Sequence, residues 1–374
     1  MPSVDHELDP SPRLLLGPGP SLVAPRVLRA LAAPLVGHLD PEFMAVLADI
    51  QALLRMAFQT ENPLTLAVSG TGTSAMEAAL ANLVEPGEPV LACAHGFFGD
   101  RLAEIARRVG GDVQRLEVPW GQTFEVEAIE RALRERPARV VTLVHAETST
   151  GARQPEITAI AEVCHRQGGL LILDCVTSLG GLPVEIDAWQ VDIAYSAAQK
   201  CLSAPPGMAP ITVSPRAEEK IRSRKSPIPT FYLDLTLLAK YWSDAPAYHH
   251  TAPISLAYAL RESLRLVKEE GLAARFDRHR KNALRLWLGL EELDLPLLVP
   301  EGVRLPSLST PKLGPGIDDA AVRRRLLHDY NIEIAGGFGP LAGAIWRIGL
   351  MGHSSRPENV ITLLGALREI LRRG

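Results

Sequence analysis

Lys200 stands in the segment SAAQKCLSAPPG at 196–207, which is otherwise uncharged. Small, apolar and proline-rich neighbours strip water from an ammonium, lower its pKa and make the amine able to form a Schiff base with a carbonyl carbon. A loop lysine left in solvent would do none of this. Asp174 closes the apolar run GLLILD at 169–174. A carboxylate there needs a partner. It either caps the turn that follows or faces a ligand at a strand end, where open α/β sheets bind them. SGTGTS at 69–74 gathers glycines and hydroxyls between a strand pattern and a helix pattern. Backbone amides there can approach an anion such as phosphate. The loop lacks the lysine of a P-loop and the full dinucleotide spacing, and a capped turn without ligand accounts for the same residues. Arg347 lies inside the apolar AIWRIGL at 344–350 and calls for a carboxylate, from a substrate or from the protein itself. Together the four fit pyridoxal phosphate (PLP) chemistry: a lysine for the imine, an aspartate for the pyridine nitrogen, a loop for the phosphate and an arginine for an α-carboxylate.

Strands and helices must alternate to bring these residues together. Pro89 to Cys93, Arg139 to Val144 and Leu170 to Asp174 are continuous apolar runs, as in strands buried on both faces. Further strands are expected at Leu64 to Val68, Asp192 to Ser196 and Ala209 to Val213. Helical spacing covers Pro41 to Phe58, with proline suited to the first turn, then Thr73 to Val84 and roughly 97–109, 125–136 and 156–167. From Pro253 one long helix to about Leu293 is expected, then two short strands and a closing helix, Pro357 to Arg372. The fold class is α/β, with a mostly parallel sheet covered by helices. Residues 1–13 read as an N-terminal extension, 14–255 as a large α/β domain and 256–374 as a smaller α+β domain.

With 374 residues, 47% hydrophobic and 22% charged, the chain can bury a large core. A formal charge of −4 steers it toward neither nucleic acid nor anionic membrane. The short cluster Arg222, Arg224 and Lys225 reads as a solvated loop face. Cys93, Cys164, Cys175 and Cys201 have no CxxC spacing and read as buried free thiols in a reducing compartment. No paired ligand spacing suggests zinc, and adjacent His249 and His250 are expected to point apart. The N-terminus has no apolar signal core and no run is long enough to span a bilayer, so a cytoplasmic location is expected.

The sequence resembles the class V aminotransferases, in particular the alanine–glyoxylate and serine–pyruvate (serine–glyoxylate) group, from about residue 14 to the C-terminus. The resemblance rests on LLLGPGPS at 14–21, HAETSTG at 145–151, DCVTSLGGLPV at 174–184 and YSAAQKCLSAPPG at 195–207, with FYLDL at 231–235, YHHTAPISLAYALRESL at 248–264 and WRIGLMG at 346–352. It implies a fold-type I homodimer with PLP at the subunit interface. By position, Lys200 matches the Schiff-base lysine that shuttles the proton, and Asp174 the partner of the pyridine nitrogen. Thr71, Gly72, Thr73 and Gln199 match phosphate-binding residues; Tyr248 and Thr251 match residues that reach the phosphate from the neighbouring subunit. Thr148 falls near the cofactor ring oxygen, Phe98 at the stacking aromatic and Val176 on the ring's other face. Arg347 and Gly19 fall at substrate-binding positions.

Three positions depart from the animal peroxisomal pattern: Thr73 stands for histidine, Phe98 for tryptophan and Thr148 for serine. The terminal Arg-Arg-Gly is no Ser-Lys-Leu address. The resemblance implies ping-pong amino transfer from L-alanine or L-serine to glyoxylate or pyruvate. Rival readings are ureidoglycine–glyoxylate or 2-aminoethylphosphonate aminotransferase, a cysteine desulfurase, and a non-catalytic PLP-fold binding protein. The desulfurase reading meets Phe98 where a histidine would stand, and no cysteine lies in an evident glycine-rich loop of the smaller domain.

Overall fold

A computed structural model describes residues 8–372. The N-terminal extension falls partly outside these, as does the end of the Arg-Arg-Gly terminus. In chain order the strands begin with β1 (Leu14–Leu15), β2 (Leu64–Ser69), β3 (Pro89–Ala94), β4 (Asp112–Glu117) and β5 (Val140–Val144). Then come β6 (Ala146–Glu147), β7 (Ala152–Arg153), β8 (Leu170–Asp174), β9 (Ile193–Tyr195) and β10 (Met208–Val213). The last are β11 (Leu308–Ser309), β12 (Ile332–Glu333), β13 (Ala335–Gly336) and β14 (Trp346–Gly349). The helices are α1 (Pro25–Leu31), α2 (Pro41–Phe58), α3 (Gly72–Leu83), α4 (Phe97–Arg108), α5 (Val126–Glu135), α6 (Ile157–Arg166) and α7 (Ile186–Trp189). They continue as α8 (Pro215–Arg222), α9 (Leu235–Tyr241), α10 (Ile254–Glu270), α11 (Leu272–Glu291), α12 (Asp319–Tyr330) and α13 (Pro357–Arg372).

A seven-stranded sheet runs in the order β2-β10-β9-β8-β5-β3-β4. Pairs from β9 to β4 are parallel, while β10 is antiparallel to both neighbours. The central strands β5 and β8 are buried at every residue, which is why their sequences show no alternation. Strand β4 escaped the sequence reading. It is an edge strand, DVQRLE, whose Asp112, Arg115 and Glu117 are exposed, and its pattern is that of a loop.

Helix α2 shows how local signals and burial agree. Asp40 accepts from the Glu42 N–H at 2.8 Å as N-cap, and Pro41 occupies the first turn. Phe43, Leu47, Ile50, Leu54 and Phe58 then fall on one buried face. Each such side chain contributes roughly 1.5–3 kcal/mol on burial. The long helix expected from Pro253 is in fact two: Gly271, at φ +79, ends α10 and begins α11. The helical periodicity on either side concealed the break. Arg224 is likewise not part of a solvated face. It donates to the carbonyls of Asn82 and Val84 at 2.9 and 2.8 Å and so satisfies the C-terminal end of α3.

The apolar core forms one cluster around the large sheet and a second among α11, α12, α13 and β14. The buried face of α10 joins the first cluster as far as Val267. Leu16 joins the second, and β1 pairs in parallel with β12. The chain therefore crosses between the two cores just before Pro18 and Gly19. All four cysteines are free and buried. No described helix is long and apolar enough to cross a membrane.

Candidate active site

The site gathers beyond the carboxyl ends of β8 and β9. Parallel pairing sets Asp174 level with Tyr195, so their side chains share a face of the sheet. The Tyr195 hydroxyl donates to Asp174 Oδ2 at 2.7 Å, and the Val176 N–H donates to Oδ1 at 2.8 Å. The cap raised by the sequence is made: Asp174 closes its own turn through the Val176 N–H, while its other oxygen is held by Tyr195. Burial raises its pKa to about 6, against the two hydrogen bonds that lower it.

Lys200 follows β9 by five residues, in the connection between β9 and β10. Its Nζ donates to the Pro18 carbonyl. Burial lowers its pKa to about 8 and nearby Arg347 adds to the fall, while Cys201 and Asp174 oppose it. Much of the amine is therefore within reach of the neutral, nucleophilic form. Gly19 lies directly on this side chain. A Cβ at Gly19 would sit 2.7 Å from both Lys200 Cδ and Nζ, and its φ of +106 already disfavours other residues.

The hydroxyl loop packs beside the same turn. A Cβ on Gly72 would come within 2.9 Å of Ala197 and 3.6 Å of Val176. Thr71 is the N-cap of α3 but makes no side-chain cap bond; the Ser74 amide donates to the Thr71 carbonyl, which leaves the Gly72 and Thr73 amides to meet an anion. Thr73 Oγ1 accepts from Arg101 at 3.3 Å, adding a cation to that end. The Oε1 of Gln199 is buried without a hydrogen-bond partner among the described residues. Thr148 is buried and shares a hydrogen bond with the hydroxyl of Thr177.

Arg347 is 4% exposed in β14. Its Nε donates to the Gly336 carbonyl at 2.7 Å, and its guanidinium carbon lies 3.7 Å from the Phe338 ring centroid. Among the described residues it has no carboxylate at ion-pair distance; burial lowers its pKa to about 10, with Glu147 offsetting this at longer range. The internal salt bridge weighed from the sequence is therefore not made. Tyr248 (65% exposed) and Thr251 sit outside this cluster, and neither hydroxyl has a hydrogen-bond partner among the described residues. It is their neighbour His250 that meets the hydroxyl loop, through Ser69 Oγ at 2.7 Å. His249 and His250, expected to diverge, instead bring their Nδ1 atoms to 2.8 Å.

Four contributors were not picked out from the sequence: Tyr195, Glu147, Thr177 and Phe338. Glu147 is fully buried and accepts from Phe98 N–H (3.2 Å), Gly99 N–H (3.3 Å) and the Ser149 hydroxyl (2.6 Å). It thereby ties HAETSTG to the start of α4 and fixes Phe98. Its signal was an acid inside a stretch with no other carboxylate.

A class V aminotransferase family model matches residues 17–341. The chain belongs to the class V aminotransferases. Enzymes of this kind are PLP-dependent transaminases, and this one is too. It is 42% identical to mouse alanine–glyoxylate aminotransferase, over 96% of this chain and 88% of that one. It is 41% identical to a Bacillus subtilis (S)-ureidoglycine–glyoxylate transaminase, over 96% and 91%. Among solved structures, an alanine–glyoxylate aminotransferase from Nostoc sp. superposes with a TM-score of 0.97 at 52% identity, covering 98% of this chain and 97% of that one. Cysteine desulfurase from Thermococcus onnurineus, at 15% identity and TM-score 0.74, shares the fold alone.

The residues of this class V aminotransferase suit PLP on their own terms. A buried carboxylate raised to about 6 gains from a cationic ring nitrogen, and the Lys200 amine is already lowered to about 8. The orphaned Gln199 Oε1 and the uncapped start of α3 provide further polar groups for a ligand.

Proposed function

We propose that this enzyme moves the amino group of a small amino acid, L-alanine or L-serine, to glyoxylate or pyruvate in two half-reactions. Arg347 carries the reading: a buried guanidinium with no carboxylate partner among the described residues, close enough to Lys200 to depress its pKa, suits the carboxylate of an amino acid. PLP, when bound, supplies the electron sink that makes the Cα proton of the donor acidic.

In this reading Lys200 holds the cofactor, and its Nζ takes the proton from Cα and returns it. Asp174, ionised, keeps the ring nitrogen protonated; Tyr195 orients that carboxylate. Thr71, Gly72, Thr73 and Gln199 hold the phosphate, with Tyr248 and Thr251 reaching across from a second copy of the chain, so that the active unit is a homodimer. Phe98 and Val176 would flank a bound ring, and Thr148 would lie near its oxygen. Gly19 leaves room for the lysine and, with Arg347, for a small substrate. A cytoplasmic location accords with the four reduced thiols.

The test is the absorbance of the holoenzyme with L-alanine or L-serine and no oxo acid, alongside Lys200→Ala. Conversion to the pyridoxamine form by the parent protein, and none by the variant, is expected. Substantial alanine–glyoxylate turnover by Lys200→Ala would sink the assignment. The Bacillus subtilis relative supports a second reading, with (S)-ureidoglycine as donor. Side-by-side donor assays decide between them.

A further inference from the structure

A second cavity, of about 700 Å³, opens between α1, the junction of α10 with α11, and the segment before α13. Its lining carries Arg26, Arg29, Arg275, Arg278, Arg356 and His353 against only Glu269 and Glu270. That excess of positive charge stands in a chain whose formal charge is −4. Neither Asp174, Lys200 nor Arg347 lines it.

The cations fall into two sets. Arg26 is spent on Glu262 and Glu269, while Arg275 and Arg278 share Glu270 and donate to the carbonyls of Gly180, Cys201, Gly352 and Ser355. These form the wall. Arg29 is exposed on α1 and makes no side-chain hydrogen bond or ion pair among the described residues. Among the described residues Arg356 reaches only Glu358, at 3.6 Å, and the Nδ1 of His353, at 3.2 Å. Two guanidinium groups from distant parts of the chain thus face one cavity, Arg29 with no ion pair among the described residues and Arg356 with a 3.6 Å pair to Glu358, beside a half-buried imidazole.

We infer that this cleft is a binding site for a small multiply charged oxyanion, a polycarboxylate or a phosphate ester, held by Arg29, Arg356 and His353. Guanidinium forks from two elements match the paired oxygens of such a ligand, which a single chloride or a neutral metabolite cannot satisfy. Arg356, Arg278 and Arg275 together depress the pKa of His353, after burial, so the imidazole already senses the local positive potential. A bound anion would reverse that effect.

The experiment is calorimetric titration of the PLP-loaded enzyme with citrate and, separately, pyrophosphate at low ionic strength; cofactor already fills the phosphate site. One molecule bound per chain is expected, weakened about tenfold or more by Arg29→Ala combined with Arg356→Ala. Tighter citrate than pyrophosphate binding assigns the site to polycarboxylates, and the reverse order to phosphates. The control is Arg216→Ala with Lys220→Ala, cations that line a different cavity and should leave the affinity unchanged. A His353 ring pKa that rises on ligand addition, read by NMR, is the second expected signature. No binding by the parent enzyme, or binding that the control weakens as much as the Arg29 and Arg356 changes do, overturns the inference. These outcomes are independent of which amino acid the active site uses.

Discussion

Tyr195→Phe removes one oxygen and nothing else from the site, and its effect should be readable as a pH shift. Tyr195 and Asp174 are both buried, and the hydroxyl donates to Oδ2 at 2.7 Å. A hydrogen bond to a charged group in such a setting is worth about 1.5–3 kcal/mol. At about 1.4 kcal/mol per unit, its loss raises the carboxyl pKa by roughly one to two units. The sign follows from the group. In the proposed role Asp174 acts while ionised, so the activity it would support is present above its pKa and lost as pH falls through it. Burial already raises that pKa and the Tyr195 hydroxyl lowers it, so the variant should lose activity at a higher pH than the parent. The assay is kcat/KM for the better donor across the acid range, with cofactor saturating. An acid limb moved upward by about one unit, with activity recovering at high pH, is expected. An unmoved limb would refute the claim that Tyr195 supports the charge on Asp174. An equal fall at every pH would show a packing role instead.

Gly19→Ala places a methyl group where Lys200 now lies and adds a positive φ penalty of about 1 kcal/mol or more; turnover should fall at least tenfold while the secondary structure, followed by circular dichroism, stays intact. Arg347→Lys keeps the charge but loses the planar fork, and KM for the amino donor should rise by about tenfold or more with a smaller change in kcat. Glu147→Gln puts an amide where several donors now converge, and should cost about 2 kcal/mol in urea unfolding and weaken cofactor retention through Phe98.

Much of the frame could be read along the chain. The buried strands Val140–Val144 and Leu170–Asp174 show themselves because a strand covered on both faces has no polar side to display. Lys200, Asp174 and Arg347 stand out because each is a charge set among apolar residues, and such a charge requires a partner. Local chemistry was equally clear at α2, where Pro41 marks the start. What escaped was structure whose local pattern points elsewhere. The edge strand Asp112–Glu117 carries charges because its outer side is wet, and the break at Gly271 is hidden between two stretches of the same helical period. Arg224 looked solvated because its acceptors, the carbonyls of Asn82 and Val84, lie far away in sequence.

The identity of each partner was likewise a tertiary matter. That Tyr195 lies level with Asp174 depends on the register of β8 against β9, which no spacing in the chain encodes. That Gly19 lies on Lys200 depends on the N-terminal segment crossing from β12 toward the large sheet. That Arg347 has no ion-pair partner among the described residues depends on which carboxylates the fold leaves out of reach. Sequence by itself determined which side chains need partners, because that follows from their own solvation. Only the folded chain decided who those partners are, because distance in space is set by strand register and by the packing of two cores.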